Sequence, residues 1–269
     1  MNGYYPFFQL EKFPENKTAI LYFSRPEKLN AMNWPFWRDL PEIIKEIEGD
    51  KDIVAVVIAG RGKSFSVGLD VMDLFVNHSE TIAASTVEAR EKLLELILTM
   101  QQGFRAIANG EKIYIAAIHK HCIGAGLDIA VACDLRLSTT DAVFSVRETK
   151  IAIVADMGSL NRLPLIIGHG NTRLLAYTGR DIGASQALNM GLINEIYENQ
   201  ELLMAGASKL ACEIAANSAA AVRGTKKIIN FMESHNPEEG LNYVAMWNAS
   251  FLDIKEIEKA MSAAMKKKN

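Results

Sequence analysis

Three acidic residues, Asp128, Glu148 and Asp156, stand in segments that contain few other ionisable side chains. Asp128, for example, lies between Leu127 and Ile129. A carboxylate in such apolar surroundings is costly to desolvate unless it is paired, hydrogen-bonded or used in a reaction. Burial also raises a carboxyl pKa from about 4 towards neutrality, where the group can both accept and donate a proton. The three residues therefore indicate an enzyme that moves protons on an apolar substrate.

Two glycine-bearing loops follow apolar segments that predict buried strands. Residues 66–69 (Ser-Val-Gly-Leu) come after the run 54–60, and residues 124–126 (Gly-Ala-Gly) come after the run 112–119. Glycine lets the backbone approach a ligand closely. The second loop also opens a predicted helix, whose first N–H groups lack internal partners and favour an anion. Two such N–H groups aimed at one point make an oxyanion hole. Taken alone, however, the glycines are explained better by tight turns between strand and helix.

The elements that must position these residues alternate between strands and helices in the first 200 residues and are helical afterwards. Apolar and β-branched runs predict strands at 18–24, 54–60, 112–119, 135–139, 142–146 and 192–197. Helical periodicity predicts helices at 33–49, 85–108, from 124, and at 158–163, 169–178, 183–190, 200–215, 218–233, 238–251 and 253–267. This order predicts an α/β core over 1–199 and an all-helical module over 200–269.

Composition and charge exclude several classes of protein. The 269-residue chain is 49% hydrophobic and carries a net charge of −3. The absence of a basic excess argues against a nucleic-acid partner, and no apolar run reaches the roughly 18 residues that suggest a membrane span. Three cysteines without a C-x-x-C pair suit a reducing compartment. We therefore expect a cytoplasmic protein with no nucleic-acid partner, no membrane partner and no secretory signal.

Other catalytic motifs are incomplete. The segment GRGKS (60–64) is similar to the end of a phosphate-binding loop, but Val57 stands where that loop requires glycine. The chain has no G-x-S-x-G elbow, which argues against a serine hydrolase. His119 and His121 lack metal-ligand spacing with an acidic residue, so we expect structural or surface positions for them and no metal site.

The sequence resembles the crotonase (enoyl-CoA hydratase/isomerase) family through motifs that follow one another over nearly the whole chain. They are RPEKLNAM (25–32), FSVGLDVMDL (65–74), AAIHKHCIGAGLDIAVACDLRLSTTDAVFSVRE (116–148), NRLPLIIG (161–168) and TGRDIGASQALNMGLINEI (178–196). The resemblance implies a crotonase-type spiral of repeated ββα units that carries CoA and the active site. It also implies that the C-terminal helical module packs between subunits.

Within this resemblance, the acidic residues distinguish between subgroups. Asp128 and Glu148 fall where hydratases carry their two catalytic carboxylates, and Asp156 falls where hydratases usually have glycine. All three acids together resemble the Δ3,5-Δ2,4-dienoyl-CoA isomerase subgroup. That resemblance implies an isomerase of fatty acid degradation, with Glu148 and Asp156 as the proton-transferring pair and Asp128 in support.

Three alternatives remain open at this point. Asp156 could be the N-cap of a helix before Gly158. The enzyme could be an enoyl-CoA hydratase, in which Asp128 and Glu148 hold one water, although Asp128 is one methylene shorter than the usual hydratase glutamate. It could also be a non-enzymatic binding protein of the same family, as in relatives that bind RNA. The acidic balance and the intact set of acids both argue against this alternative.

The resemblance further assigns the groups that hold the substrate. The N–H groups of Leu69 and Ala125 would bind the thioester oxygen. Because CoA is part of the substrate, no separate cofactor is expected, and the assembly would be a homotrimer or a dimer of trimers. The groove for CoA would be lined by Lys28, Leu29, Ala31, Ser66, Val67, Gly68, Asp70 and Gly124.

The chain departs from the family pattern at three places. Lys120 and His121 stand where the family often has two glycines, Ala125 replaces the middle glycine of the oxyanion loop, and Met261 stands where an aromatic residue is usual. These departures concern the fit of the substrate more than the class of reaction.

Overall fold

The computed structural model describes residues 4–266. Within this part of the chain, the strands are β1 (Phe8–Phe13), β2 (Thr18–Phe23), β3 (Ala55–Gly60), β4 (Ile113–Ile118), β5 (His121–Ile123), β6 (Leu135–Thr139), β7 (Val143–Ser145), β8 (Ile182–Gly183) and β9 (Glu195–Tyr197). The helices are α1 (Trp34–Gly49), α2 (Val71–Ala83), α3 (Val87–Asn109), α4 (Ala125–Ala132), α5 (Ser159–Thr178), α6 (Ala184–Asn189), α7 (Gln200–Ala215), α8 (Ala219–Met232), α9 (Pro237–Phe251) and α10 (Ile254–Lys266).

A six-stranded sheet in the order β1-β2-β3-β4-β6-β9 forms the first layer. All neighbouring pairs are parallel except β1 and β2. Every residue of β3 and β4 is buried, which explains why these strands read as continuous apolar runs. Alternate side chains pack on opposite faces. One face contacts α1 and α3, and the other contacts Leu203, Ala207 and Ala211 of α7.

The second layer contains β5, β7 and β8 and is extended by two isolated bridges. Ser66 pairs with Cys122, and Met32 pairs with Leu69. Each of β2, β3, β4 and β6 therefore leads into an extended segment of the second layer and then into a helix. Four such turns give the predicted spiral of ββα units, and each turn brings the end of a strand to the same region of the molecule.

Each predicted strand corresponds to a strand of the structure, and the differences are one unpredicted helix, one merged pair of helices and three unpredicted strands. No helix was predicted at 71–83, where α2 forms, and none of the residues of α2 is buried. The two helices predicted at 158–163 and 169–178 are one element, α5, interrupted at Gly168 with φ +76°. Strands β1, β5 and β8 were also not predicted.

The packing around residue 200 bears on the proposed division of the chain. Because α7 covers one face of the main sheet, it contributes to the core of the α/β layer. Helix α8 docks on the edge of that core through Lys226, whose buried Nζ donates to Asp134 Oδ2 at 2.9 Å and to Lys112 O at 2.8 Å. The boundary between 199 and 200 stays a prediction, and the packing favours a later start for a peripheral module.

Candidate active site

The loop that carries Leu69 is held between two neighbouring segments. Ser66 N donates to His121 O at 2.9 Å on one side. On the other side, Met32 N donates to Gly68 O at 2.7 Å and Asp70 N donates to Met32 O at 3.0 Å. Because this parallel pairing uses the groups of residues 68 and 70, the N–H of Leu69 points to the opposite side.

The N–H of Ala125 is free for a different reason. Ala125 is the first residue of α4, and the first N–H groups of a helix have no acceptor within it. Among the hydrogen bonds of residues 4–266, neither Leu69 N–H nor Ala125 N–H donates to a protein acceptor. The two loops touch, since a Cβ added at Gly68 would lie 2.5 Å from Ile123 O and 3.2 Å from Ala125 N. Only glycine, here at φ +87°, permits this approach, and the two free N–H groups lie on adjacent loops.

Glu148 lies directly beside this pair of loops. It begins a short 3₁₀ turn after β7, and β7 is fastened to the second loop because Gly124 N donates to Ser145 O at 2.9 Å. A Cβ added at Gly124, which has φ +53°, would lie 3.0 Å from Glu148 Oε1. Glu148 Oε2 is buried and has no hydrogen-bond partner among the described residues. Burial raises the pKa of Glu148, and the charge of Asp156 raises it further.

Asp128 lies one turn into α4 and is almost completely buried, with 1% of its surface exposed. Its Oδ1 accepts a hydrogen bond of 2.6 Å from Ser159 N, the first N–H of α5. Burial raises the pKa of Asp128 to about 7, with a further increase from Glu148 and an opposing effect of the Ser159 hydrogen bonds. Asp128 therefore holds the start of α5 and also belongs to the acidic cluster.

Asp156 lies in the irregular segment between the 3₁₀ turn and α5. Burial raises its pKa as well. The N-cap residue of α5 is Gly158, and the side chain that binds the first N–H of the helix belongs to Asp128. The alternative interpretation of Asp156 as a helix cap is therefore not what the structure shows.

The three acids influence one another. The charge of Glu148 raises the pKa of Asp128, and the charge of Asp156 raises the pKa of both other acids. Carboxyl groups in one poorly solvated site resist ionising together, so such a cluster shares protons among its members. The arrangement can therefore hold one carboxylate and one carboxylic acid in the same site.

The residues predicted for the CoA groove divide into two groups. Ser66 is fully buried, and its hydroxyl donates to Asn30 O at 2.8 Å and accepts from Gly68 N at 3.1 Å. Asp70 binds Arg25 Nη1 at 2.6 Å and caps α2. The side chains of Ser66 and Asp70 thus support the loop from within, whereas the exposed or half-buried residues remain available for a ligand: Lys28, Leu29, Ala31 and Val67.

Other residues important for the loops were not predicted. Asn30 is completely buried at φ +55°, and its Nδ2 donates to Ser64 O at 2.8 Å and to Arg61 O at 3.0 Å. Asparagine is among the few side chains that tolerate this left-handed backbone. Its position inside the motif 25–32 was a signal for such a role. Arg25 also joins the two ends of the loop, because its Nη1 donates to Ala31 O at 2.8 Å.

His119 and His121 occupy supporting positions, as predicted. His119 Nε2 lies 3.0 Å from Gly62 O, and burial lowers its pKa. His121 Nδ1 lies 2.8 Å from Ser64 Oγ. Lys120 between them has φ +59°, the backbone conformation that the glycine of related sequences would adopt without strain. In residues 4–266, no group of three histidine, cysteine or acidic side chains is arranged to hold a metal ion.

The fold and this site define a class of enzyme. Residues 15–269 match the model of the enoyl-CoA hydratase/isomerase family, and the chain belongs to that family. Among its curated relatives, the mitochondrial Δ(3,5)-Δ(2,4)-dienoyl-CoA isomerase of Rattus norvegicus is 39% identical over 247 residues, which cover 91% of this chain and 76% of the relative. The peroxisomal enzyme of that name from Arabidopsis thaliana is 34% identical over 269 residues, covering 100% and 97%.

A solved structure supports the same fold. The crystal structure of a putative enoyl-CoA hydratase from Streptomyces coelicolor A3(2) superimposes with a TM-score of 0.89 at 25% identity, covering 99% of this chain and 94% of the other. The predicted crotonase fold and the resemblance to the dienoyl-CoA isomerases are thus confirmed.

The location of the enzyme in the cell stays a prediction. Across residues 4–266, each helix is either too short or too polar to cross a membrane. The two isomerases described above carry mitochondrial and peroxisomal designations, so the expected cytoplasmic location is not confirmed.

Proposed function

We propose that this enzyme converts a 3,5-dienoyl-CoA into a 2,4-dienoyl-CoA in fatty acid degradation. The observation that carries the proposal is the position of the third carboxyl group. Asp156 is close enough to Asp128 and Glu148 for its charge to raise the pKa of both, and Glu148 lies beside the loops that carry the two free N–H groups. Hydration of a single double bond gives Asp156 no role. The similarity to proteins named dienoyl-CoA isomerases points in the same direction.

The free N–H groups of Leu69 and Ala125 would bind the thioester oxygen. Loss of a proton from C2 produces a dienolate, whose negative charge concentrates on that oxygen. Donors fixed in advance stabilise the charge where it develops, and each is worth about 3 kcal/mol in comparable sites. The groove formed by Lys28, Leu29, Ala31, Val67 and the backbone of residues 66–70 and 124 would hold the CoA portion.

The position of Glu148 next to Gly124 supports one assignment of the two ends of the proton transfer. C2 is one bond away from the thioester carbon, so an acid beside the oxyanion loops would face C2. Glu148 would take the C2 proton as a carboxylate, and Asp156 would deliver a proton to C6 as a carboxylic acid. Glu148 gains the proton that Asp156 loses, and transfer within the cluster restores the starting state. Their raised pKa values suit both roles.

Asp128 would act in support. One of its oxygens is occupied by Ser159 N–H, so it holds the helix that follows Asp156. Its charge state also influences the proton affinity of Glu148, because two neighbouring carboxylates disfavour simultaneous ionisation.

Enoyl-CoA hydration is the second candidate. It is favoured by the proximity of Asp128 and Glu148 and by 34% identity over 222 residues, 82% of this chain and 80% of the relative, to a short-chain-enoyl-CoA hydratase of Clostridium acetobutylicum. In that reaction both carboxyl groups would hold one water. The hydrogen bond between Asp128 and Ser159 leaves less of the Asp128 carboxylate free for this task.

Parallel assays with two substrates test the proposal. We expect kcat/KM for a 3,5-dienoyl-CoA to exceed that for crotonyl-CoA, because only the diene uses Asp156. Ultraviolet absorbance follows both reactions, since conjugation with the thioester increases on isomerisation and is lost on hydration. Efficient hydration without any shift of the diene would replace the isomerase proposal by the hydratase alternative.

We also propose a trimer or a dimer of trimers. Trp247 packs within the subunit, but several apolar side chains of the last two helices are exposed: Leu241, Met246, Phe251, Ile254, Ile257 and Met261. An exposed apolar surface of this kind is usually covered by a partner. Light scattering at micromolar concentration should therefore give about three or six times the 29.7 kDa of one chain, and a monomeric mass would contradict the assembly.

A further inference from the structure

Asp156 lies in a stretch of backbone with few internal hydrogen bonds. Within residues 4–266, the backbone groups of residues 154–157 make a single hydrogen bond, in which Gln101 Nε2 donates to Asp156 O at 2.7 Å. The neighbouring fixed points are Ile153 N, which donates to Glu148 O at 3.0 Å, and Ser159 N, which donates to Asp128. The amide of Gln101 therefore bridges the gap between them.

Packing of the neighbouring residues does not by itself fix the position of Asp156. Ala155 and Met157 are buried and hold the chain on either side. A shift of the backbone at Asp156 would still move its Cα and Cβ atoms together and displace its carboxyl group. A hydrogen bond from Gln101 to Asp156 O opposes this shift without occupying the carboxyl group.

Gln101 is itself well anchored for this purpose. It belongs to α3, a helix of 23 residues, and Arg105 Nη2 donates to its Oε1 at 2.6 Å. That contact fixes the orientation of the amide, so its NH₂ group faces Asp156 O. A long helix packed on the core thus provides a rigid support for a residue on an irregular segment.

We propose that Gln101 is a positioning residue for proton transfer by Asp156, an inference that rests on the proposed function. Reacting groups must be held within a fraction of an ångström of the productive geometry, and a misplacement of about 1 Å can reduce the rate about 10²-fold. Gln101 contacts Asp156 through its backbone oxygen, so it would act through the backbone of Asp156.

The variant Gln101→Met tests this inference because methionine has nearly the same length but no N–H donor. We expect kcat for the 3,5-dienoyl-CoA to fall about 10- to 100-fold, with KM changed less than about 3-fold. Gln102→Met is the matched control. Gln102 is the exposed neighbour on the same helix, and its replacement should leave both constants unchanged.

A double-mutant cycle separates positioning from a general loss of structure. In the Asp156→Asn background, measured at high enzyme concentration, Gln101→Met should alter the residual rate less than about 2-fold, because the group it positions is gone. A decrease as large as in the wild-type background would overturn the proposal.

Hydrogen–deuterium exchange provides a readout that does not depend on activity. Peptides covering 152–160 contain two hydrogen-bonded amides on either side of Asp156, those of Ile153 and Ser159. These amides should exchange faster in Gln101→Met than in Gln102→Met, and equal exchange would overturn the proposal. A wild-type enzyme that leaves the diene unchanged would instead overturn the proposed function, while the exchange experiment would still decide whether Gln101 holds Asp156.

Discussion

Replacing Asp156 by Asn is expected to lower kcat for a 3,5-dienoyl-CoA by about 10²–10⁴, the usual contribution of a positioned acid or base. Glu148→Gln should produce a decrease of the same size. Each substitution keeps the shape of the side chain and removes its ability to exchange a proton. KM should change much less, because neither group is assigned to binding CoA. Steady-state kinetics of the two variants, with circular dichroism to verify folding, measure this effect.

The pH dependence of kcat distinguishes the two roles. The wild-type profile should be bell-shaped, since activity needs ionised Glu148 and protonated Asp156. Burial raises the pKa of both groups, so the acidic limb should lie above the usual carboxyl range near 4. Asp156→Asn should remove the alkaline limb and Glu148→Gln the acidic one. The assignment of C2 and C6 would be reversed if the opposite limbs disappeared.

A matched control verifies that the effect belongs to the site. Asp52→Asn makes the same chemical change at an exposed position outside the acidic cluster and should leave kcat unchanged. If Asp156→Asn also kept near-normal activity, Asp156 would have no part in the reaction, and the hydratase alternative would gain support.

Replacing Leu69 by Pro is expected to lower the isomerisation rate by about 10²–10³, the effect of losing one oxyanion donor. Proline lacks the N–H group that we assign to the thioester oxygen. The neighbouring contacts, from Met32 N to Gly68 O and from Asp70 N to Met32 O, do not involve the Leu69 N–H, so the loop should retain its pairing. Rate measurements under saturating substrate report the loss.

The control for this substitution is Leu69→Ala, which shortens the side chain and keeps the N–H group. Its rate should stay close to that of the wild type. Circular dichroism must show that Leu69→Pro is folded, because proline also restricts the residue before it. A folded Leu69→Pro enzyme with full activity would place the thioester oxygen elsewhere, away from the loops 66–70 and 124–128.

The sequence by itself determined which chemical groups are present and the order of the elements that carry them. The strands predicted at 54–60 and 112–119 agree with β3 and β4 within one residue, because parallel strands buried on both faces are continuous apolar runs. The three acids could be identified because a carboxyl group in an apolar segment is costly to bury unless it is paired or functional. Both signals are local, so they can be found along a single chain.

Only the tertiary structure decided how these groups face one another. Glu148 lies beside Gly124 because β7 pairs with β5. Asp128 binds Ser159 N across 31 residues, and Gln101 binds Asp156 O across 55. Hydrogen bonds over such separations leave no periodic pattern in the sequence. The capping of α5 by Asp128 and the support of Asp156 by Gln101 could therefore be seen only after the spiral had brought the strand ends together.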